Sequence, residues 1–190
     1  MREVALLKEL RELEMSKSNL TEEALRSLDK LPRLEKLNLA KTEFNPNTLA
    51  GSTVLPQLVK LDIQGTKDLL PILKALKNSP KLLRLVLGEC PLGTEEVKLV
   101  SNLSSLKELF LRDTSISNAD LEQLTKLSNI EILNLEKCRN IDGDCFSSLQ
   151  AFKHMSRLQI PAGVLSKTQQ ADLTKAQKDR NIRIRIQEDQ

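Results

Sequence analysis

The sequence predicts an α/β solenoid, with a parallel β-sheet on the concave side and helices on the convex side. Two observations support this fold. An LxxLxL pattern recurs at almost constant spacing, and a segment with helical spacing of its apolar residues follows several of the copies. In addition, 38 of the 190 residues are leucine, whereas the chain has four phenylalanines and no tyrosine or tryptophan. We therefore expect an aliphatic core that is assembled repeat by repeat.

The repeat has seven copies in one frame, which is the signature of a repeat architecture. Successive copies start 24 residues apart five times and then 25 residues apart, at Leu10, Leu34, Leu58, Leu82, Leu106, Ile130 and Met155. A small residue stands three positions after each of the first six copies: Ser18, Thr42, Thr66, Cys90, Thr114 and Cys138. One repeat cannot bury its own apolar edge, so the copies must stack into a continuous core.

Each repeat is expected to contain a short strand followed by a helix. Leu109-Phe110-Leu111 has the alternation typical of a strand. Helices are predicted over Thr21–Leu31, Thr94–Leu103 and Asn118–Leu127, with Thr21, Thr94 and Asn118 as N-caps. Asn45-Pro46-Asn47 and Gly51-Ser52 should shorten the helix of the second repeat, and Pro71 should lie in a first helical turn.

The chain is interpreted as one domain with capped ends. Residues 1–9 form the predicted N-terminal cap, in which Val4, Leu6 and Leu7 could cover the first strand, and residues 10–160 form about seven repeats. Residues 161–190 form the predicted C-terminal cap, with a helix over Asp172–Lys178 and an edge strand over Asn181–Ile186. Arg183 and Arg185 of that strand should face solvent and discourage edge-to-edge pairing.

The repeat, written out as LKELFLRDTSI from Leu106 to Ile116, resembles the leucine-rich-repeat family over about 150 residues. The family usually has asparagine where this chain has serine, threonine or cysteine, and that asparagine bridges backbone groups between coils. The chain is similar to the threonine- and cysteine-bearing branches of the family, and Thr and Cys can do part of the same job. The resemblance implies a horseshoe-shaped scaffold for protein recognition, including enzyme inhibition.

Composition argues against several other functions. The net charge of +3 comes from 29 basic and 26 acidic residues, a balance that predicts neither a nucleic-acid partner nor a membrane partner. No apolar run approaches the roughly 18 residues of a membrane span. The charged start MREVALLKELREL has no uninterrupted apolar stretch, so we expect no secretory signal peptide. Three cysteines are too few for a disulfide scaffold, which favours a reducing, cytoplasmic compartment.

No constellation of catalytic residues is visible, and we expect neither enzymatic activity nor a cofactor. His154 is the only histidine, and no nucleophile accompanies it in the sequence. Cys90 and Cys138 are interpreted as buried structural thiols. A metal site from Cys138, Asp142, Asp144 and Cys145 can be imagined, but it has no CxxC pair and no suitably spaced histidine.

The functional prediction depends on the strand residues that lie between the core leucines, because these face the concave side. One column reads Glu14, Asn38, Asp62, Val86, Phe110, Asn134, Gln159, and the next reads Glu12, Lys36, Lys60, Arg84, Glu108, Ile132, Arg157. Val86, Phe110 and Ile132 form a possible apolar centre with a polar rim. This layout is typical of a protein-binding hot spot. The predicted partner-binding residues are Asp62, Arg84, Val86, Glu89, Phe110, Arg112, Asp113, Ile132, Asn134 and Glu136.

The sequence is therefore interpreted as a protein-interaction module that is a monomer when unbound and forms a heteromeric complex with another protein. Three finer functions are considered. LEKCRNIDGDCFSSL resembles cysteine-bearing repeats of substrate-binding ubiquitin-ligase adaptors, although the added helical domain of those proteins is not present here. Arg84 or Arg112 could serve a GTPase regulator as an arginine finger. The chain also resembles short leucine-rich-repeat effectors of intracellular bacterial pathogens, which enter the host cytosol and bind host proteins or other effectors.

Overall fold

Eight strands form one parallel sheet in the computed structural model, which describes residues 6–176 and 182–187. The strands follow one another in chain order across the sheet, so each lies beside the strands that precede and follow it in the chain. They are β1 Glu12–Glu14, β2 Lys36–Asn38, β3 Lys60–Asp62, β4 Arg84–Val86, β5 Glu108–Phe110, β6 Ile132–Asn134, β7 Arg157–Pro161 and β8 Arg183–Gln187. The predicted α/β solenoid with a parallel sheet is confirmed.

Seven helices among the described residues connect these strands. They are α1 Glu22–Arg26, α2 Pro46–Ala50, α3 Leu70–Leu76, α4 Thr94–Ser101, α5 Asn118–Leu124, α6 Phe146–Ala151 and α7 Lys167–Ala176. Short 3₁₀ turns follow or precede some of them, at Ser27–Lys30, Leu55–Gln57 and Gly143–Cys145. As predicted, α2 has only five residues and Pro71 lies in the first turn of α3.

The N-cap predictions are correct for one helix and wrong for two. The side chain of Thr21 accepts a hydrogen bond from the Ala24 amide, as an N-cap should. The helices expected to be capped by Thr94 and Asn118 are instead preceded by Gly93 and Ser117. The Ser117 and Asp120 side chains each accept a hydrogen bond from the other residue's backbone amide, which forms a capping box. Ser117, and not the following Asn118, is therefore the N-cap.

The LxxLxL leucines form the core, as the repeat predicts. Leu61, Leu85 and Leu109 occupy equivalent positions in neighbouring strands, and each is 0% exposed. The side chains on either side of them in the strands alternate outward. The helices cover the core from the opposite side, so the outward strand residues lie on a face of the sheet that none of the seven described helices covers.

The small-residue column links successive coils through backbone carbonyls. The Thr42 hydroxyl donates to the Met15 carbonyl at 2.6 Å, and the Cys138 thiol donates to the Leu111 carbonyl at 3.0 Å. The Cys90 thiol reaches the Ile63 carbonyl at 3.4 Å. Each acceptor lies 27 residues earlier and belongs to the preceding coil. Thr42, Cys90 and Cys138 therefore bridge between coils, as the resemblance implied.

Thr66 occupies the same column but is buried without a hydrogen-bond partner for its hydroxyl. We expect Thr66→Val to leave stability unchanged or raise it by up to about 1 kcal/mol, because it removes an unsatisfied polar group. The matched change Thr42→Val should lower stability by about 1–2 kcal/mol, because it deletes the bond to the Met15 carbonyl and the bond from the Ser18 amide. Urea denaturation of the two variants measures the difference. Equal losses would contradict this assignment.

The chain ends differ from the predictions in detail. Leu6 and Leu7, expected to cover the first strand, are 75% and 53% exposed, and Val4 lies outside the described residues. The C-terminal helix α7 starts five residues before the predicted Asp172, and Lys178 lies outside the described residues. The edge strand predicted over Asn181–Ile186 is β8, although Asn181 lies outside the described residues. Among the described strands β8 pairs with β7 alone, and its Arg183 and Arg185 are exposed as expected.

Candidate functional site

Two columns of side chains run across the face of the sheet that lies opposite the helices, called here the concave face. Strand pairing aligns Asp62 with Val86 and then with Phe110, and it aligns Lys60 with Arg84 and then with Glu108. These are the two columns that the repeat period predicts. The first strand residue and the third point to the same side, so both columns lie on the concave face.

Three apolar residues, Val86, Phe110 and Ile132, form the apolar centre of this face. All three are half-buried. Val86 lies directly opposite Phe110, whereas Ile132 pairs with Glu108 and is the diagonal neighbour of Phe110. The core is formed by the opposite face of the same strands, so the fold does not require apolar side chains here.

Arg84 is held against the apolar centre by two contacts. Its guanidinium forms an ion pair and hydrogen bond with Glu108 on the adjacent strand. Its Cζ lies 5.2 Å from the centroid of the Phe110 ring, within the range of a cation–π interaction. Only 35% of the Arg84 side chain is exposed. The aromatic ring is therefore covered on one side by a charged group that the protein itself orients.

A depression of about 170 Å³ lies beside the apolar centre, on strands β1 to β4. We call it the charged depression because six charged residues line it: Glu12, Glu14, Lys36, Lys60, Asp62 and Arg84. Val86 lines it too, so the charged depression and the apolar centre are continuous. At the start of the strands, Glu12 of β1 is followed by the basic residues Lys36, Lys60 and Arg84, and at the end of the strands Glu14 and Asp62 are acidic.

Residues at the end of three strands use side-chain oxygens to fix the following turn. Asn38 Oδ1 accepts from the Ala40 amide at 2.8 Å, Asp62 Oδ1 from the Gln64 amide at 3.0 Å, and Asn134 Oδ1 from Glu136 at 2.8 Å. Asn134, a predicted partner-binding residue, is only 7% exposed. Its main contribution is therefore to the turn, and little of its side chain is accessible to a partner.

Asp62 carries a charge that the turn does not require. Burial raises the pKa of its carboxyl, although the Gln64 amide opposes this, and the nearby Glu14 carboxylate raises it further. Asparagine makes the same turn at Asn38 and Asn134 without a charge. The ionised Asp62 side chain therefore lowers the stability of the free protein.

Asp62→Asn is expected to raise the free energy of unfolding at neutral pH by up to about 1 kcal/mol. Because the pKa is raised in the folded state, the destabilisation is fully present above the folded pKa. It disappears as the pH falls below the ordinary aspartate pKa of about 3.9. Denaturant titrations of both proteins across this range should show the gap closing in acid. A gap that widens on acidification would contradict the sign of the shift.

A network of polar side chains forms the rim at the ends of the strands. Glu89 accepts from Lys41 Nζ and from Gln64 Nε2, each at 2.8 Å, and the bond from Lys41 is the main reason that the pKa of Glu89 is lowered. Lys41 reaches Glu89 across an intervening coil because that coil has Gly65 at the equivalent position. The predicted site residue Glu89 is thus already engaged within the protein.

Backbone conformation sets the direction of two predicted rim residues. Glu89 and Asp113 both have φ of 57°, and the same left-handed turn is adopted by Lys41, two coils before Glu89, and by Lys137, one coil after Asp113. The amides of Glu89 and Asp113 donate to the carbonyls of Arg112 and Glu136 in the next coil, at 2.9 and 2.8 Å. These bonds continue the ladder beyond the strands and compensate a conformation that non-glycine residues seldom adopt.

Arg112 and Glu136 face each other across adjacent coils, as their predicted positions on the rim require. Arg112 Nε lies 3.6 Å from Glu136 Oε2, too far for a hydrogen bond, and this buried Nε has no hydrogen-bond partner. Glu136 instead accepts from Gln159 Nε2 at 3.0 Å. Both arginines proposed as fingers, Arg84 and Arg112, are therefore paired with glutamates.

The cysteines and their acidic neighbours belong to the core and its turns. Cys90 and Cys138 are free and buried, as the sequence predicts for structural thiols, and Cys145 is free and buried too. Burial raises the pKa of Cys90 and of Cys145 to about 11, and it raises that of Cys138 too. Asp142 Oδ1 accepts from the Asp144 amide at 2.9 Å and so fixes a turn. Within the described residues, no group of three or more potential ligands is placed to hold a metal ion.

Solved structures share this architecture. The Arabidopsis receptor kinase HAESA, in complex with the peptide hormone IDA and the co-receptor SERK1, matches 97% of this chain and 32% of its own, at 18% identity and a TM-score of 0.63. A second HAESA structure, with an extended IDA peptide, describes the ectodomain as LRR, the leucine-rich repeat. The chain has the leucine-rich-repeat fold. No family model and no curated protein matches the sequence.

Two other proteins with similar structures come from different settings. An internalin, InlF, from Listeria monocytogenes matches 82% of this leucine-rich-repeat chain and 49% of its own, at 21% identity and a TM-score of 0.51. TLR13 in complex with ssRNA13 matches 74% of this chain and 24% of its own, at 22% identity and a TM-score of 0.50. The chain spans less than half the length of each of these proteins. Within the described residues of this leucine-rich-repeat chain, no helix is long and apolar enough to cross a membrane.

Several residues of the concave face were not among the predicted partner-binding residues. Glu108 and Lys60 stand in the predicted columns, but only the structure shows that one orients Arg84 and the other lines the charged depression. Lys41, Gln64 and Gln159 complete the rim. The repeat period could have found Glu108, because residues 24 apart in adjacent coils are neighbours and Arg84 and Glu108 have opposite charges.

Proposed function

We propose that this chain is a noncatalytic protein-interaction module that binds a partner protein on its concave face. The apolar centre carries the proposal, because Val86, Phe110 and Ile132 are half-buried on a face where the core makes no use of them. A small apolar cluster surrounded by oriented polar groups is the usual anatomy of a protein-binding hot spot. The likeness in fold to HAESA, which was solved with a peptide and a protein partner, supports binding of a partner.

The proposal assigns different roles to the predicted residues. Val86, Phe110 and Ile132 contact the partner, and Arg84 and Asp62 present charges beside them. Glu89, Arg112 and Glu136 hold the rim in place, because their polar groups already interact with Lys41 or with each other. Asp113 contributes an exposed carboxylate. Asn134 supports the turn beneath the apolar centre.

We further propose that binding modulates or inhibits an enzyme, and that the chain acts in a reducing compartment as a monomer until it meets its partner. Three buried cysteines that form no disulfide support a reducing compartment, because proteins of oxidising compartments are the ones that use disulfides. Delivery into a host cytosol as a bacterial effector is the finer proposal. The resemblance of the repeats and the likeness in fold to InlF of Listeria monocytogenes support it.

The roles as GTPase regulator and ubiquitin-ligase adaptor have less support. An arginine finger must be free to reach a phosphoryl group, whereas Arg84 is engaged by Glu108 and Phe110, and Arg112 faces Glu136. Cys138 and Cys145, which carry the resemblance to ligase adaptors, are 0% exposed and pack in the core. Their pattern is therefore explained by packing between coils.

The proposal is tested by affinity capture and mass spectrometry, with wild type compared with a Val86→Arg/Phe110→Arg double variant. Circular dichroism must first show that the variant is folded. A partner captured only by wild type supports the concave-face module and names its target. A partner captured equally by both proteins would overturn the site, and the absence of any partner would overturn the function.

A further inference from the structure

Strand β3 places two charged side chains, Lys60 and Asp62, in the charged depression without compensating them. Within the described residues, neither makes an ion pair within 4.0 Å. Lys60 acts on Glu12 only at longer range, and Asp62 uses one oxygen on the Gln64 amide. Both side chains are half-buried on the concave face. Side chains two apart on a strand lie on the same face, about 7 Å from each other.

Lys60 has like charges on both sides. Strand pairing sets it directly opposite Lys36 and Arg84. Each of those two cations is neutralised by a glutamate on its outer side, Lys36 by Glu12 at 2.8 Å and Arg84 by Glu108. Lys60, between them, has no such glutamate. Like charges directly opposite one another weaken a sheet, so Lys60 does not stabilise the free protein.

Asp62, like Lys60, carries a charge that does not stabilise the free protein, and its charge is negative. The two asparagines of its column show that a neutral amide makes the same turn. Two charges act on it: Glu14 in its own column, which repels it, and Arg84 in the neighbouring column, which attracts it but is committed to Glu108. The protein therefore retains a half-buried carboxylate whose second oxygen is free to accept a hydrogen bond.

We propose that β3 recognises two opposite charges on the partner: Lys60 binds a carboxylate, and Asp62 binds an ammonium or guanidinium group. The two partner groups lie about 7 Å apart, as on side chains at i and i+2 of an extended segment. An apolar side chain next to them contacts Val86 and Phe110, because the charged depression and the apolar centre are continuous. The inference rests on the proposed function and specifies the chemistry of the partner.

Random peptides displayed on phage provide a probe that does not require a known partner. Wild-type protein should select peptides in which an acidic and a basic residue lie close to a large apolar one. In a selected peptide, neutralising the acidic residue (Glu→Gln or Asp→Asn) should weaken binding to wild type by about tenfold. The same peptide change should have little effect on binding to Lys60→Gln, because that variant has already lost the interaction. Neutralising the basic residue should show the same coupling with Asp62→Asn.

Lys98→Gln is the matched control, since it removes one exposed positive charge on α4, away from the concave face. It should bind the selected peptides as wild type does. Thermal unfolding adds a second measurement, because Lys60→Gln and Asp62→Asn should be as stable as wild type or more stable. Marked destabilisation of either variant would show that its charge serves the fold and would overturn the inference.

The inference would also be overturned if the selected peptides had no charged residues, or if no peptide were selected at all. It would be overturned too if the affinity of the peptides showed no coupling to Lys60 or Asp62. These failures are distinguishable from failure of the proposed function. A partner captured by wild type and lost with Val86→Arg/Phe110→Arg would keep the interaction module and reject only the charge recognition by β3.

Discussion

Replacing Leu109 with alanine is expected to lower the free energy of unfolding by about 2–5 kcal/mol. Leu109 is 0% exposed and lies in the middle of the sheet, directly between Leu85 and Leu133, which are also fully buried. Removing its side chain opens a cavity that both neighbouring coils line. Each coil of a solenoid is stabilised mainly by its neighbours, so a cavity in a central coil weakens two interfaces at once.

Urea denaturation followed by far-UV circular dichroism measures this effect, and Phe110→Ala is the matched control. Phe110 is the next residue of the strand and points to the opposite face, where it is half-buried. Its truncation should therefore be markedly less destabilising than Leu109→Ala, although it removes more atoms. Similar losses for the two variants would mean that the concave face and the core are not separated as the structure shows.

The repeat period predicted the fold because it specifies which residues are neighbours. Leu37, Leu61 and Leu85 are each 24 residues apart, and the structure pairs them in direct register. The alternation in NIRIRI similarly predicted the last strand and its exposed arginines. In the repeats the hydrophobic pattern alone determines which side chain is buried, and burial dominates the energetics of the fold. In β8 the pattern predicts the strand but not full burial, because Ile184 is half-buried and Ile186 is 38% exposed.

Helix starts were less accurately predicted because they depend on local hydrogen bonds that differ by one residue. Ser117 and Asn118 are both good N-cap residues, and the sequence does not decide between them. In the structure Ser117 is the N-cap, because Asp120 is then three residues further on and completes the capping box. Gly93 cannot be recognised as a cap from side-chain chemistry. Its amide instead donates to the Glu96 carboxylate at 2.9 Å.

The candidate site was predicted as a set of positions but not as a set of interactions. The columns and the apolar centre follow from the period, whereas pairing between side chains depends on length and rotamer. Lys41 and Glu89 are two coils apart and meet only because Gly65 lies between them. Asn134 was predicted to contact a partner because of its position on the concave face. Its side chain is instead buried, because its oxygen accepts a hydrogen bond that fixes the following turn.

Phe110→Arg is expected to weaken binding of the partner by at least about 100-fold, which corresponds to roughly 2.7 kcal/mol. The change removes the largest apolar side chain of the apolar centre and the ring against which Arg84 stacks. It also brings a second guanidinium close to Arg84, so a partner surface that was complementary to an aromatic ring now meets two positive charges. Titration calorimetry with the captured partner measures the loss.

The control for charge is Ala119→Arg, which adds the same side chain at an exposed position of α5 on the helix side. It should bind as wild type does. Because Phe110 faces away from the core, Phe110→Arg should retain the wild-type circular dichroism spectrum, so lost binding cannot be attributed to unfolding. If Phe110→Arg binds as tightly as wild type while Ala119→Arg does not, the partner uses the helices, and the apolar centre has no part in recognition.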